Sequence, residues 1–141
     1  GPHPVTIVMA DLNGLKNAND ESGHAAGDAL LRRAGEVLNS VVEKPAYACR
    51  VGGDEFAILL PETDEVAGEG LIQTIQDLVV INNTFYPDLT LSLSMGVATA
   101  RHGERMEFVV KRADLAMLEA KRQHYFETEH DRRRSQVARA S

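Results

Sequence analysis

The chain has 141 residues and carries 15 basic against 21 acidic side chains, which gives a formal net charge of −6. A hydrophobic content of 43% at this length is enough for one domain with a buried core, so an intrinsically disordered chain is excluded. The acidic balance and the aromatic content of 5% argue against nucleic-acid or anionic-membrane binding through a basic face. No apolar run approaches the ~20 residues of a membrane helix and no signal peptide opens the chain, so we expect this segment to be cytoplasmic, whether or not its parent protein is membrane-anchored.

Cysteine usage and the two ends of the chain set further limits. Cys49 is the sole cysteine, which excludes an intrachain disulfide, and its apolar neighbours at 46–48 predict a buried strand thiol in a reducing compartment. The opening GPHP at 1–4 is typical of a linker end or a remnant of cloning. The polar tail at 127–141 is predicted as a solvated helix end or, through Arg132-Arg133-Arg134, as a patch for a partner.

Apolar spacing divides the chain into four strands and three helices. Continuous or alternating apolar runs predict the strands, and apolar residues three or four positions apart predict the helices. The predicted strands are Val5–Ala10, Ala46–Val51, Glu55–Leu60 and Leu89–Ala98. The predicted helices are Ala25–Val41, which follows the first strand, Asp64–Ile81, which follows the third, and Met106–Tyr125, which follows the fourth. The stretch Leu12–Asp20 is predicted as a loop, and Gly52-Gly53 as a hairpin turn.

This βαββαβ order predicts an α+β fold of the ferredoxin-like type. Such a domain has an antiparallel sheet with its helices packed on one face, and the same frame occurs in the palm domains of nucleotidyl-transferring enzymes among many other proteins. Because one fold serves many functions, the function has to be argued from the residues at the strand ends.

Three carboxylates are predicted to meet at one edge of the sheet. Asp11 ends the first strand, while Asp54 and Glu55 follow the glycines of the hairpin, and this topology places the first strand beside the hairpin. Like charges that close together raise one another's pKa, and a divalent cation would relieve the repulsion. Oxygen ligands without His or Cys suit Mg²⁺ or Mn²⁺. The alternative is that these are ordinary turn and strand-end residues.

Two features beside the acids are suited to a phosphate-bearing ligand. The predicted loop at 12–20 offers backbone amides and Lys16 just before a helix, a position that binds phosphate readily. Gly52 and Gly53 remove two side chains, which lets a planar base or a sugar approach the backbone.

Four ordered motifs resemble the GGDEF family of diguanylate cyclases. They are DLNGLKNANDESGHAAGD at 11–28, RVGGDEF at 50–56, SLSMGVA at 92–98 and ADLAMLEAK at 113–121. The resemblance implies a palm-like fold and a role in bacterial signalling, in which two Mg²⁺ (or Mn²⁺) ions assist the condensation of two GTP molecules into cyclic di-GMP and pyrophosphate. It identifies residues 5–126 as a GGDEF domain that lacks the family's N-terminal helix, an absence that would leave part of one sheet face uncovered.

The resemblance also assigns the metal site. Asp11 matches the first metal-binding aspartate, and the carbonyl of Leu12 would complete the metal shell. Asp54 matches the acidic residue that shares the metals. Glu55 matches the second acid of the signature, which either coordinates metal or accepts the proton of the 3′-hydroxyl group.

The substrate contacts follow in the same way. Asn19 and Asp28 match the pair that hydrogen-bonds guanine, and a carboxylate suits the N1–H and exocyclic amine of that base. The cations that hold the triphosphate match Lys16 and Lys121. The backbone amides that assist them match Asn13, Gly14 and Leu15. The turn over the nucleotide matches Gly52 and Gly53. His24 is predicted to make structural hydrogen bonds.

The chain departs from the family pattern at several positions. The RxxD product-inhibition motif should end just before the signature, where this chain has Glu43 and Ala46 in place of the arginine and the aspartate. Tyr125 stands where a phosphate-binding arginine is usual, and Leu118 where the last helix usually has tyrosine. The resemblance therefore implies a cyclase without that inhibitory site.

Two functions remain open at this point. The first is an enzyme that works as a homodimer, with one GTP on each chain, controlled by an upstream sensory domain of the parent protein. The second is a catalytically weak or silent GTP-binding module that regulates an attached domain. The full set of motif acids favours the enzyme, while Tyr125 favours the silent module.

Overall fold

The computed structural model describes residues 4–140 of the chain. The strands are β1 (Thr6–Leu12), β2 (Tyr47–Arg50), β3 (Glu55–Leu60) and β4 (Leu93–Thr99). The helices are α1 (Leu15–Ser22), α2 (His24–Ser40), α3 (Glu65–Thr84) and α4 (Met106–Ala140). The strands form one antiparallel sheet in the order β2-β3-β1-β4. The predicted α+β, ferredoxin-like fold is confirmed.

The central strand β1 is buried along its whole length because both faces of the sheet are covered. Val8, Ala10 and Leu12 point into a core that includes residues of α2 and α3. Ile7 and Met9 point the other way and pack with residues of α4. The two connecting helices thus share one face, as the pattern predicts, and the last helix covers the opposite one.

Gly96 lets α4 approach the sheet very closely. A Cβ atom at this position would lie 2.2 Å from the backbone nitrogen of Met117 and 2.3 Å from the carbonyl oxygen of Ala113. The helix backbone therefore occupies the space that any side chain on Gly96 would need. This contact sets the height of α4 above β4 and, with it, the positions of the polar residues farther along the helix.

The predicted loop at 12–20 is wrong, because most of it belongs to α1. Gly14, with φ of 75°, precedes the helix, and Gly23, with φ of 86°, separates it from α2. No residue of α1 is fully buried and no side chain caps its start. The helix therefore lacks both the apolar stripe and the capping residue from which helices are predicted.

Strand β4 begins later than predicted because a buried arginine binds the chain before it. The guanidinium of Arg33 on α2 donates to the side-chain oxygens of Asn82 and Asn83 and to the Leu89 carbonyl, at 2.8, 2.9 and 2.6 Å. The Asn83 amide in turn pairs with both backbone groups of Leu91. These bonds hold residues 89–91 outside the sheet and link α2, α3 and the start of β4.

The prediction of a buried thiol at Cys49 is also wrong. Cys49 is exposed, because β2 is the edge strand of the sheet and α4 packs mainly on β4 and β1. A groove of about 260 Å³ opens there on the α4 face, lined by Ile7, Met9, Tyr47, Cys49, Val51, Ala57, Ile58, Leu59 and Val110. This part of the sheet, at the edge strand, is therefore exposed.

Both termini of the described range extend the domain. The Pro4 carbonyl accepts a hydrogen bond from the Thr63 amide at 2.9 Å, while residues 1–3 of the predicted linker lie outside the described residues. At the other end α4 continues to Ala140, so the predicted polar tail is a solvated helix in which Glu129 pairs with Arg132 and Arg133. No helix within residues 4–140 has the length and apolar character needed to cross a membrane.

The close approach at Gly96 predicts a strong effect of a single methyl group. Gly96→Ala should lower the free energy of unfolding by at least about 2 kcal/mol, because backbone atoms of α4 would have to move. Gly70→Ala is the matched control, since no described atom lies within 4 Å of the added Cβ, and it should stabilise exposed α3 by about 0.5–1 kcal/mol. Urea unfolding of both variants measures the difference. Equal stability would show that α4 is not held at this height.

Candidate functional site

The site is built at the end of β1, where the sheet brings distant acids together. Antiparallel pairing places Asp11 opposite Glu55 on one side and opposite Ser94 on the other. The Leu12 amide donates to the Asp54 carbonyl at 2.8 Å, which fixes the hairpin turn against the end of β1. The three predicted carboxylates therefore occupy one end of the sheet.

The acids perturb one another. Burial raises the pKa of Asp11; Lys121 opposes that rise, and the nearby Asp54 adds to it. Burial likewise raises the pKa of Glu55. Asp114 raises it further, and Asp11 and Asp54 make smaller contributions in the same direction. Repulsion of this kind is typical of a site that binds a cation or transfers a proton.

Asp114 is a member of the cluster that the sequence reasoning missed. It lies on α4 between the buried residues Ala113 and Met117, and its carboxyl group faces Glu55. The signal available in the sequence was an acid directly beside the apolar stripe of the last helix. Its neighbour could not be inferred, because the position of Glu55 relative to α4 depends on how the helix crosses the sheet.

Lys121 forms an ion pair with the first acid of the site. Its Nζ atom donates to Asp11 Oδ2 at 2.7 Å, and the two side chains are 20% and 12% exposed. The other oxygen, Asp11 Oδ1, is buried and has no hydrogen-bond partner among the described residues. An ionised carboxylate normally satisfies both oxygens, so Oδ1 is an unfilled acceptor within the cluster.

The hairpin turn leaves the surface beside Glu55 open. Arg50 organises the turn by donating from Nε and Nη2 to the carbonyls of Gly52 and Gly53, at 3.0 and 2.7 Å. Both glycines are exposed, and a Cβ on Gly53 would meet no described atom within 4 Å. The space above the turn is therefore open to a ligand.

Asn13 serves the scaffold and not the ligand side of the site. Its side chain is buried, donates to Ser92 Oγ at 3.0 Å and accepts from Ser94 Oγ at 3.1 Å. Its backbone amide, one of the three amides predicted to assist phosphate binding, donates to the Ser92 carbonyl at 2.8 Å. These bonds attach the junction of β1 and α1 to the segment that leads into β4, so the Asn13 amide is already bonded within the scaffold.

The start of α1 presents the remaining phosphate-binding candidates. Gly14 and Leu15 open the helix, where the first amides have no intrahelical acceptor. The side chain of Lys16 in the same turn is exposed. A helix start of this kind, with positive partial charge and an added ammonium group, is suited to an anion.

The two residues predicted to bind guanine lie on α1 and α2, which a single glycine separates. Asn19 is on α1, Asp28 is exposed on α2, and Gly23 joins the helices. The Asn19 side chain occupies space beside Gly27, because a Cβ there would come within 1.9 Å of Asn19 Oδ1. That oxygen is buried and has no hydrogen-bond partner within residues 4–140. The contact between α1 and α2 thus contains a buried acceptor without a described partner.

The donor set fits a hard divalent cation that a ligand helps to hold. Within residues 4–140 no three acidic, imidazole or thiol side chains converge closely enough to enclose a metal by themselves. Asp11 Oδ1, however, is a buried acceptor without a partner in that range, and the carboxylate of Asp54 repels that of Asp11. Mg²⁺ commonly binds to one or two carboxylates together with the phosphates of a substrate.

Comparison with known proteins identifies the family. A family model described as "Diguanylate cyclase, GGDEF domain" matches residues 1–125. The chain belongs to the GGDEF family. Among curated relatives, Diguanylate cyclase A of Treponema denticola is 32% identical over 120 residues, which cover 83% of this chain and 32% of that protein. The chain spans between 15% and 32% of the length of this and two further relatives.

Solved structures resemble this GGDEF domain closely. The active GGEEF domain of a diguanylate cyclase from Vibrio cholerae has a TM-score of 0.78 and 29% identity, over 86% of this chain and 78% of that one. The GGDEF domain of DgcB from Caulobacter crescentus, in complex with c-di-GMP, has a TM-score of 0.77 and 26% identity, over 85% and 73% of the two chains. These matches confirm the resemblance that the four motifs indicated.

The raised pKa of Glu55, which burial and then the neighbouring carboxylates cause, predicts a pH-dependent stability. The folded pKa of Glu55 is raised above its ordinary value of 4.5, so the unfolded chain loses this proton first as the pH rises. Ionisation therefore destabilises the folded domain through that window and above it. Glu55→Gln should raise the free energy of unfolding near pH 7, in EDTA, by less than about 1 kcal/mol, because solvent screens the half-buried site.

Below about pH 4 the gain from Glu55→Gln should disappear, since the carboxyl group is then protonated in both states. Glu36→Gln, which changes an exposed acid on α2, is the matched control and should show no such pH dependence. Denaturant unfolding at several pH values measures both variants. A lower stability of Glu55→Gln near pH 7 would contradict the repulsive cluster.

Proposed function

We propose that this GGDEF domain is the catalytic part of a diguanylate cyclase that converts two GTP molecules into cyclic di-GMP and pyrophosphate. The observation that carries the proposal is the acidic cluster of Asp11, Asp54 and Glu55, in which a buried carboxylate oxygen has no partner among the described residues. The open turn, the start of α1 and the unused acceptor on Asn19 lie on the segments that flank it. Together they offer places for a metal, a triphosphate and a base.

Mg²⁺ or Mn²⁺ would be held by carboxylates of Asp11, Asp54 and Glu55 and by the Leu12 carbonyl, in the two-metal arrangement that the family implies. The bound ions would supply charge neutralisation for the attacking oxygen and the departing pyrophosphate. The chain prepares this site by fixing Leu12 through its amide bond to Asp54, and Asn13 through Ser92 and Ser94. Oxygen donors without nitrogen or sulfur favour these ions over zinc or copper.

Glu55 is the candidate proton acceptor for the 3′-hydroxyl group if it does not serve the metal alone. Burial and the neighbouring carboxylates raise its pKa, which makes it a stronger base than an exposed glutamate. Asp114 contributes to that shift from α4 without lying on the hairpin. We infer that Asp114 orients Glu55 toward the open side of the turn.

The triphosphate would lie between the start of α1 and α4. The amides of Gly14 and Leu15 and the ammonium group of Lys16 are presented together by the first turn of α1. Lys121 would add a second cation from α4, where it now binds Asp11. Tyr125 replaces the usual arginine and lies with its ring centroid 5.8 Å from Lys121 Nζ, so it offers no second guanidinium to phosphate.

Guanine would bind in the groove between α1 and α2. Asn19 supplies an acceptor and an amide donor, and the exposed Asp28 carboxylate supplies acceptors for the N1–H and the exocyclic amine. Adenine presents an acceptor at N1, so it would leave Asp28 unpaired. This difference is the basis of GTP over ATP selection in the proposal.

The reaction needs two chains, because one chain offers one acidic cluster and one guanine groove. In a homodimer, the 3′-oxygen of each GTP would attack the α-phosphorus of the other GTP. Each attack forms a 3′-O–P bond, breaks the bond between the α-phosphorus and the bridging oxygen, and releases pyrophosphate; the hydroxyl proton passes to a base such as Glu55. An upstream sensory domain in the parent protein would bring the two chains together.

Product would not be held tightly at the turn before β2. Recognition of cyclic di-GMP by an RxxD motif uses a guanidinium and a carboxylate, whereas this turn has exposed Glu43 and half-buried Ala46. An acidic side chain there repels a dianionic ligand. Adding micromolar cyclic di-GMP to the assay below should therefore leave the rate of an active full-length protein nearly unchanged.

Removal of one acid tests the catalytic proposal. Asp54→Asn should lower cyclic di-GMP formation at least about a hundredfold, because it removes a charge that neutralises the metal, while the fold is preserved. Asp131→Asn, on the solvated part of α4, is the control and should keep parental activity. Chromatography of reactions with GTP and Mg²⁺ or Mn²⁺ measures the product from both the full-length protein and this domain.

The same assay separates the enzyme from a silent regulatory module. The regulatory alternative, which Tyr125 favours, would be established by one result. The unmutated full-length protein would bind GTP in equilibrium dialysis but form no product with either metal. Undiminished product from Asp54→Asn would instead refute the assignment of the metal site.

Replacement of Asp28 tests base recognition. Asp28→Ser should reduce the preference for GTP over ATP by roughly thirtyfold, corresponding to about 2 kcal/mol for a lost charge-assisted pair. Competition of each nucleotide against a fluorescent GTP analogue measures that preference, with Asp131→Ser as the control. A parent protein that binds ATP as well as GTP would contradict the guanine assignment.

A further inference from the structure

Asp11 is already bonded to a cation of the chain itself. Lys121 Nζ lies 2.7 Å from Asp11 Oδ2, and both side chains are largely removed from solvent. The carboxylate with which Lys121 pairs is the central ligand of the proposed metal site. Lys121 occupies Oδ2, and a divalent cation on the free Oδ1 of the same carboxylate would lie within a few ångströms of the ammonium group, where the two positive charges repel.

The surroundings make this ion pair more than a chance surface contact. Asp54 and Glu55 add negative charge around Asp11, and Asp114 adds it beside Glu55; Lys121 is the cation that the described structure places against this cluster. Lys16, the other cation proposed for phosphate, is exposed on α1. The ammonium group of Lys121 therefore supplies the positive charge beside Asp11 that a bound metal ion would supply.

We propose that Lys121 is an internal competitor for the divalent cation at Asp11, and that a nucleotide relieves the competition by attracting the lysine to its phosphate. Lys121 has a flexible four-carbon stem and lies near the point where α4 leaves the sheet, so its ammonium group is able to exchange one oxygen acceptor for another. The competition stands on the ion pair alone. The role of the nucleotide rests on the proposed function.

The consequence is a coupling between metal and nucleotide. Metal alone would have to displace Lys121 from a buried carboxylate, whereas metal together with a triphosphate would find Asp11 released. By linkage, each ligand then increases the affinity for the other by the same factor. The domain would remain nearly metal-free until GTP arrives.

Mn²⁺ binding to the nucleotide-free domain tests the competition directly. Lys121→Gln should bind Mn²⁺ about tenfold more tightly than the parent, as measured by electron paramagnetic resonance of free Mn²⁺. Lys111→Gln is the matched control, because it removes an exposed lysine of the same helix to which no role in the site is assigned, and its Mn²⁺ affinity should equal that of the parent. Unchanged or weaker Mn²⁺ binding by Lys121→Gln would overturn the proposal.

Two further variants connect the effect to Asp11. Lys121→Arg keeps a cation at the site and should keep weak Mn²⁺ binding. Adding Asp11→Asn to Lys121→Gln should remove the tight binding again; tight binding that persists in this double variant would place the Mn²⁺ elsewhere and overturn the proposal.

Thermal unfolding gives a readout that does not depend on nucleotide. In EDTA, Lys121→Gln should melt below the parent, because Asp11 loses its partner, and Mn²⁺ should raise its melting temperature more than it raises the parent's. Equal responses to Mn²⁺ would contradict the competition.

A non-hydrolysable GTP analogue then tests the coupling. It should tighten Mn²⁺ binding to the parent more than binding to Lys121→Gln, after correction for Mn²⁺ bound by the free analogue. If the analogue does not bind at all while Lys121→Gln still binds Mn²⁺ more tightly, the proposed function fails and the competition at Asp11 stands.

Discussion

The burial of Asp11 at the end of the central strand is the constraint on which the rest of the site depends. Strand β1 pairs on both sides and is covered on both faces, so its last acid is withdrawn from water. A carboxylate in that position needs a positive partner, and Lys121 reaches it from a helix 110 residues later in the chain. The remaining oxygen of Asp11 is left without a partner among the described residues, which prepares it for a ligand.

The scaffold keeps this unfavourable arrangement in place through contacts outside the cluster. Gly96 allows the backbone of α4 to lie directly on β4, which brings both Asp114 and Lys121 to the end of the sheet. Arg33 holds α2, α3 and the start of β4 together with three hydrogen bonds from its guanidinium group. A rigid frame of this kind is needed wherever like charges are concentrated for binding, because the repulsion would otherwise be relieved by movement.

The acidic cluster and the lysine also suggest how stability and function oppose each other in this domain. Without metal, the carboxylates weaken the folded state, and Lys121 offsets part of that effect. With metal, the lysine would become available to phosphate. The same few side chains would then serve the metal-free and the metal-bound states with different partners.

The sequence by itself determined the architecture and the position of the signature acids. Period-two and helical apolar patterns are local, and the βαββαβ topology that they predict pairs the strand that begins at Glu55 with the strand that ends at Asp11. Helix α1 is not predictable from apolar spacing, because it has no buried stripe. The exposure of Cys49 is not predictable either, because it depends on which part of the sheet a helix covers. The partners of Asp11 and Glu55 on α4 were decided by tertiary structure alone, since desolvation and ion pairing depend on where the helix crosses the sheet and not on spacing along the chain.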